Sequence, residues 1–169
     1  HIPRAGKTVL KVKNVSKNFG TKTIFKDISF EIDRDQKVAL VAANGVGKTT
    51  LLNLIAGKYQ LEHGEVEFGH NVTKALFEQD QDLVLNKKKS ILEEAEDSCQ
   101  TSQARAQVRT FLGTFLFPGD DVHKKISVLS GGEKNRVAMV KVLLQHANFL
   151  ILDEPTNHLD LQGIEQLEQ

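Results

Sequence analysis

Cysteine is nearly absent from this sequence, with only Cys99 among 169 residues, and tryptophan is absent altogether. A single cysteine excludes a framework of disulfide bonds within the chain and favours a reducing, cytoplasmic location. No apolar run approaches the ~18 residues that a membrane helix needs, so no direct membrane insertion is expected. Lys+Arg and Asp+Glu each number 22, so no overall field of one sign marks the chain as a nucleic-acid binder.

Short apolar runs and helical repeats predict a mixed α/β domain. The run Val9–Val15 predicts a strand, as does the alternation of Ile28, Phe30 and Ile32 with polar residues. Further strands are predicted at Lys37–Val41, Glu65–Phe68, Lys74–Phe77 and Phe149–Leu152. Helices are predicted at Lys48–Ala56, from the capping box Ser90–Glu93, around Ala104–Phe115, at Gly132–His146 and from Leu161. This order implies a parallel sheet with crossover helices, in which ligands bind at the carboxyl ends of the strands.

A glycine-rich loop lies between the strand predicted at Lys37–Val41 and the following helix. Its glycines allow backbone N–H groups to approach a phosphate, while Lys48 supplies a charge for the β- and γ-phosphates and Thr49 a ligand for Mg²⁺. The usual pattern begins with glycine, but Ala42 stands there, which predicts reduced affinity for nucleotide. The alternative is a glycine-rich turn before an ordinary helix. The predicted nucleotide-binding residues are Asn44, Gly45, Val46, Gly47, Lys48, Thr49 and Thr50.

Two acids end the apolar strand predicted at Phe149–Leu152. Asp153 is suited to orient Mg²⁺ through water, and Glu154 to deprotonate the attacking water. The alternative is a simple helix cap, but Pro155 and the run Thr156–Asp160 favour catalysis.

Ser130, Gly131 and Gly132 begin a predicted helix, where backbone N–H groups can face an anion. A capped helix start accounts for the serine and one glycine, but not for the position of the motif ahead of the acidic pair.

The three motifs, in this order, resemble those of the ATP-binding-cassette (ABC) ATPases over nearly the whole chain. The resemblance implies an α/β P-loop fold with a parallel sheet core, an antiparallel β part and a helical insert. It implies ATP and Mg²⁺ as cofactors, with Gln79 near Mg²⁺ and the attacking water. It also implies that Phe19 stacks on adenine, although a core phenylalanine is the alternative. The predicted metal-site residues are Thr49, Gln79 and Asp153.

In this family the signature residues face the nucleotide of a partner domain, so the resemblance implies a second cassette as partner. The signature residues here are Ser130, Gly131, Gly132 and Glu133. Glu133 and the pair Asn157–His158 resemble the ABC-F branch, which implies action on the ribosome, with rRNA or tRNA as partners. Two alternatives are the nucleotide-binding domain of a transporter and an ATP-dependent interaction module without turnover.

The resemblance also divides the chain into four parts. These are a linker or tag remnant at 1–8, a first core part at 9–79 with the phosphate loop, a helical subdomain at 80–128, and the signature helix, acidic strand and truncated core end at 129–169. The run Pro3–Lys7 resembles the segment where the interdomain linker enters the second cassette, so we expect a C-terminal cassette excised from a longer protein. The family's switch histidine lies on a strand that the sequence does not reach, in keeping with a truncated core end.

Overall fold

The computed structural model describes residues 5–154. The start of the predicted linker, the run Pro155–Asp160 and the helix predicted from Leu161 lie outside these residues. The chain divides into two compact units between Lys74 and Ala75. The four-part division expected from the sequence stays a prediction.

The first unit is built on an antiparallel sheet with the strand order β2-β1-β3. Strand β1 is Thr8–Phe19, β2 is Lys22–Asp33 and β3 is His63–Phe68. Val12 in the central strand pairs with Phe30 on one side and with Val66 on the other. Apolar residues of β1 are buried while the outer strands alternate, since an outer strand of a small sheet has one solvated face. The strands predicted at Val9–Val15, around Ile28–Ile32 and at Glu65–Phe68 are confirmed.

Helix α1, Lys48–Ala56, begins and ends at the predicted residues. Its buried side chains are Leu51, Leu54 and Ile55. Gly57 ends the helix in the left-handed conformation, with φ at 86°, and its backbone N–H donates to carbonyls of the last turn.

The strand predicted at Lys37–Val41 is wrong. Residues 37–43 adopt no regular secondary structure, and the side chain of Val41 is 89% exposed. An apolar run becomes a strand only where a neighbouring strand satisfies its backbone N–H and C=O groups. The apolar composition of a segment does not show whether such a neighbour is present.

The second unit packs three helices with a two-stranded sheet of β4, Lys74–Phe77, and β5, Phe149–Leu152. Helices α2, α3 and α4 are Ile91–Glu96, Ser102–Thr114 and Gly131–Leu144, with 3₁₀ turns at Gly119–His123 and Ile126–Val128. Their apolar faces form one core, including Ile91, Leu112, Ile126 and Val137. The predicted helices and both strands are confirmed here. None of the helices in the described part of the chain is long and apolar enough to cross a membrane.

Candidate functional site

The glycine-rich loop of the first unit folds around the ammonium group of Lys48. Its Nζ donates to the carbonyl oxygens of Ala42 and Ala43, at 2.7 and 3.2 Å, and lies 3.4 Å from Oδ1 of Asn44. An ammonium has three donors, so these contacts hold the charge over the loop. Acceptors of this kind can be exchanged for phosphate oxygens when an anion enters.

The N-terminus of α1 is open to an anion. Gly47 is the residue before the helix, it makes no side-chain cap, and the first turn carries no acidic residue. Without such groups, the first N–H groups of the helix and its dipole favour a negative charge at this end. Val46 and Thr49 are exposed beside it, and Thr50 is half-buried.

Gly47 is required by both conformation and space. Its φ is 99°, in the left-handed region that residues with a Cβ rarely adopt. A Cβ built there would lie 2.3 Å from Cγ2 of Ile24 in β2, well inside contact distance. The backbone of the loop therefore lies close to the Ile24 side chain of β2 where it enters α1.

Ala42 fits the loop without backbone strain. Between residues 42 and 50, a positive φ occurs only at Gly45 and Gly47. Ala42 contributes its carbonyl oxygen to Lys48, a group that any residue provides. The reduced affinity expected from its methyl group stays a prediction.

Phe19 lies at the end of β1 and is 48% exposed. The alternative of a core phenylalanine is therefore wrong. A ring with this much free surface is available for stacking.

The second unit brings Gln79 and Glu154 together. Nε2 of Gln79 donates to Oε2 of Glu154 over 3.1 Å. The contact arises because each residue follows one of two paired strands, β4 and β5, by two positions. The backbone N–H of Asp153 extends this pairing, donating to the carbonyl of Phe77 at 3.0 Å. Glu154 has a φ of 48°, in the left-handed region, so the extended strand conformation does not continue through this residue.

Asp153 is only 5% exposed at the end of β5. Among the described residues, no group of three or more His, Cys, Asp and Glu side chains is placed to hold a metal ion. Mg²⁺ usually keeps several waters and binds through one or two carboxylates together with substrate phosphates. Thr49 carries an oxygen donor in the first unit, and Gln79 and Asp153 carry oxygen donors in the second. Their assignment to Mg²⁺ stays a prediction.

The signature residues form a capping box at the start of α4. Oγ of Ser130 accepts from the backbone N–H of Glu133 at 3.3 Å, and Oε2 of Glu133 accepts from the N–H and the hydroxyl of Ser130, each at 2.8 Å. Two hydrogen bonds lower the pKa of Glu133. The larger effect comes from the backbone N–H of Ser130 and the smaller one from its hydroxyl. Gly131 leaves open space where a Cβ would lie.

The sequence signal for the structural role of Glu133 is the capping-box pattern, in which a serine is followed three residues later by a glutamate. The sequence analysis gives a cap at Ser130 only as an alternative and does not include Glu133 in it. The structure forms the same box at both α2 and α4.

The geometry of both units agrees with the comparisons to known proteins. The ABC transporter family matches residues 25–157. The chain therefore belongs to this family, and it has the ABC-type α/β P-loop fold.

The chain is also similar to curated relatives, over nearly all of its own length. It is 40% identical over 166 residues to "ABC transporter F family member 5" of Arabidopsis thaliana, covering 98% of this chain and 24% of the relative. It is 37% identical over 169 residues to "Energy-dependent translational throttle protein EttA" of Haemophilus influenzae, covering 98% and 30%. The chain is an ABC ATP-binding domain that is similar to part of these ABC-F-type relatives, and it spans about a quarter to a third of their length.

A solved structure described as the ATP-binding subunit of an ABC transporter has the same fold. The TM-score is 0.83 at 22% identity, over 94% of this chain and 71% of that one.

Proposed function

We propose that this chain binds Mg²⁺ and ATP and hydrolyses the nucleotide together with a second cassette. The observation that carries the proposal is Lys48 held by its loop at an uncapped helix N-terminus, next to two glycines in the left-handed conformation. Such an arrangement provides converging N–H groups and one positive charge for a triphosphate. Phe19, half exposed, is the proposed stacking surface for the base.

The proposed reaction is attack of water on the γ-phosphorus, with ADP as the leaving group. Glu154 takes a proton from that water, and Gln79 orients the carboxylate through their hydrogen bond. Thr49, Gln79 and Asp153 are the proposed residues around Mg²⁺. When bound, the ion neutralises charge on the phosphates.

The proposed partner is a second ABC cassette, whose nucleotide would be contacted by the signature residues of this chain. The exposed start of α4, with Gly131 leaving space above it, supports this role. For a protein that carries this cassette, the name of the relative EttA supports action in translation. We propose the ribosome, through rRNA or tRNA, as its target and the cytoplasm as its location.

Titration calorimetry with MgATP tests the nucleotide site. Lys48→Ala removes the charge at the loop and should weaken binding by at least tenfold, about 1.4 kcal/mol. Alanine is favourable in a helix, so α1 should persist. Lys37→Ala removes an exposed charge just before the loop and is the matched control, expected to bind normally.

A second variant tests the loop itself. Because Ala42 contributes a carbonyl and no strain, Ala42→Gly should preserve or tighten binding. Unchanged ATP affinity in Lys48→Ala would refute the assignment of the site. A tenfold loss in Ala42→Gly would show that the methyl group is a packing element.

A further inference from the structure

Two aromatic side chains meet at the surface of the first unit, where β1 ends and the segment after α1 passes. Phe19 and Tyr59 are 48% and 40% exposed, yet their rings contact each other. Their centroids are 5.8 Å apart and their planes make an angle of 85°. An edge-to-face pair of this kind fixes the orientation of each ring, although both remain accessible to solvent.

A buried lysine covers part of the same ring. Nζ of Lys17 lies over Phe19, 5.3 Å from its centroid, and the residue is only 6% exposed. Its ammonium group pairs with the carboxylate of Glu62 and lies 3.5 Å from the carbonyl oxygen of Gln60. A buried charge needs such partners. Lys17 is therefore fixed, and it occupies one face of the Phe19 ring.

These contacts leave part of the Phe19 ring accessible. The Lys17 ammonium lies over one face, Tyr59 packs nearly at right angles to the ring, and 48% of the residue stays exposed. A cation on one face draws electron density from the ring, which favours an electron-rich flat ring on the other. A purine base has that chemistry, and it presents more stacking area than a pyrimidine.

We infer that Tyr59 and Lys17 are positioning residues that hold Phe19 as a stacking platform for the adenine base. The inference rests on the proposed function, and it adds two residues that no sequence motif of the nucleotide site contains. Recognition by stacking alone depends on ring area more than on hydrogen-bonding groups. The platform should therefore favour purine over pyrimidine nucleoside triphosphates.

Binding of three probes separates the base from the phosphates: ATP, CTP and inorganic triphosphate, each with Mg²⁺. Tyr59→Leu should weaken ATP binding by about threefold to tenfold, the usual range for one aromatic pair. It should leave the affinity for inorganic triphosphate unchanged and reduce the preference for ATP over CTP. Tyr59→Phe keeps the ring and should behave as the wild type. Leu61→Ala, at another exposed apolar residue of the same segment, is the matched control.

Lys17→Met provides a second variant, since it removes the ammonium but keeps the length of the side chain. Glu62 is partly exposed, so it stays hydrated without its partner. Both Tyr59→Leu and Lys17→Met should lower the ratio of ATP to triphosphate affinity. An unchanged ratio in the two variants would overturn this inference while leaving ATP binding intact. Failure of the wild type to bind either ATP or triphosphate would overturn the proposed function instead.

Discussion

Gly47 and Ala42 show how differently two positions of one loop depend on residue type. Gly47 has a positive φ, and a Cβ there would lie 2.3 Å from Ile24. Glycine is therefore favoured both by the backbone conformation and by the lack of space for a side chain. Ala42 lies in the same loop, has no positive φ and contributes its carbonyl oxygen to Lys48. The backbone contact is available to any residue, whereas the conformation at Gly47 is not.

Glu154 is the proposed general base, and Glu154→Gln tests that role. The amide keeps the shape of the side chain and can still meet Gln79, but it cannot take a proton. In a protein that carries this cassette with a second one, ATP should remain bound. Hydrolysis should fall by about 10²- to 10⁴-fold, the usual contribution of a general base.

Single-turnover measurement with bound ATP distinguishes chemistry from binding. Gln79→Ala is a useful companion variant, because it removes the hydrogen bond that orients the carboxylate and keeps the base. Its defect should be smaller. A normal single-turnover rate in Glu154→Gln would exclude Glu154 as the base.

Helices α2 and α4 both begin with a capping box. In each, a serine and a glutamate three residues later satisfy backbone N–H groups reciprocally. This local arrangement requires only four consecutive residues, which is why the pattern is visible in the sequence.

The box at α4 predicts a pH dependence of stability. Hydrogen bonds from Ser130 hold the pKa of Glu133 below its usual 4.5 in the folded chain. The stabilisation is therefore complete above that value and is lost as the pH falls through the lower, folded-state pKa. Glu133→Gln keeps an acceptor but loses the charge. At neutral pH it should cost about 0.5 kcal/mol, typical of one charge at a helix N-terminus.

Denaturant unfolding of the wild type and of Glu133→Gln, from about pH 6 to about pH 3.5, checks this dependence. The difference in free energy of unfolding should shrink towards the acid end. Glu96→Gln, outside both capping boxes, serves as the control. A difference that stays constant over the whole range would contradict a charged cap.

The chain as a whole carries its proposed functional groups in two units, with the phosphate loop in the first and the acidic pair and signature helix in the second. Under the proposed function, the signature residues of one cassette serve the nucleotide of another. The 169-residue chain alone should therefore hydrolyse ATP very slowly or not at all, since stabilisation of the transferring phosphoryl group is most of what such a site supplies.

Measuring the ATPase rate against protein concentration tests this expectation. Any activity should rise more steeply than in proportion to concentration, because two copies would have to meet. Ser130→Ala should lower it further without changing ATP affinity. Robust activity proportional to concentration would show that one cassette is sufficient.

The sequence by itself determined the features that depend on neighbouring residues. Helix α1 between Gly47 and Gly57, the capping box at Ser90 and strand β5 were all predicted with their bounds, because glycine conformations, caps and short apolar runs act locally. The motifs also predicted the family, since each is a short stretch with a defined spacing.

Only the tertiary structure decided which residues distant in the sequence contact one another. Lys37–Val41 has the composition of a strand but forms none, because pairing requires a neighbour that composition does not supply. Glu94 has the character of a surface residue in α2, yet it is buried in an ion pair with Lys141 of α4. Tyr59 contacts Phe19 although the two are 40 positions apart in the sequence, and Gln79 contacts Glu154 across 75 positions. Such contacts depend on how elements pack, and packing is a property of the folded chain rather than of any short stretch of it.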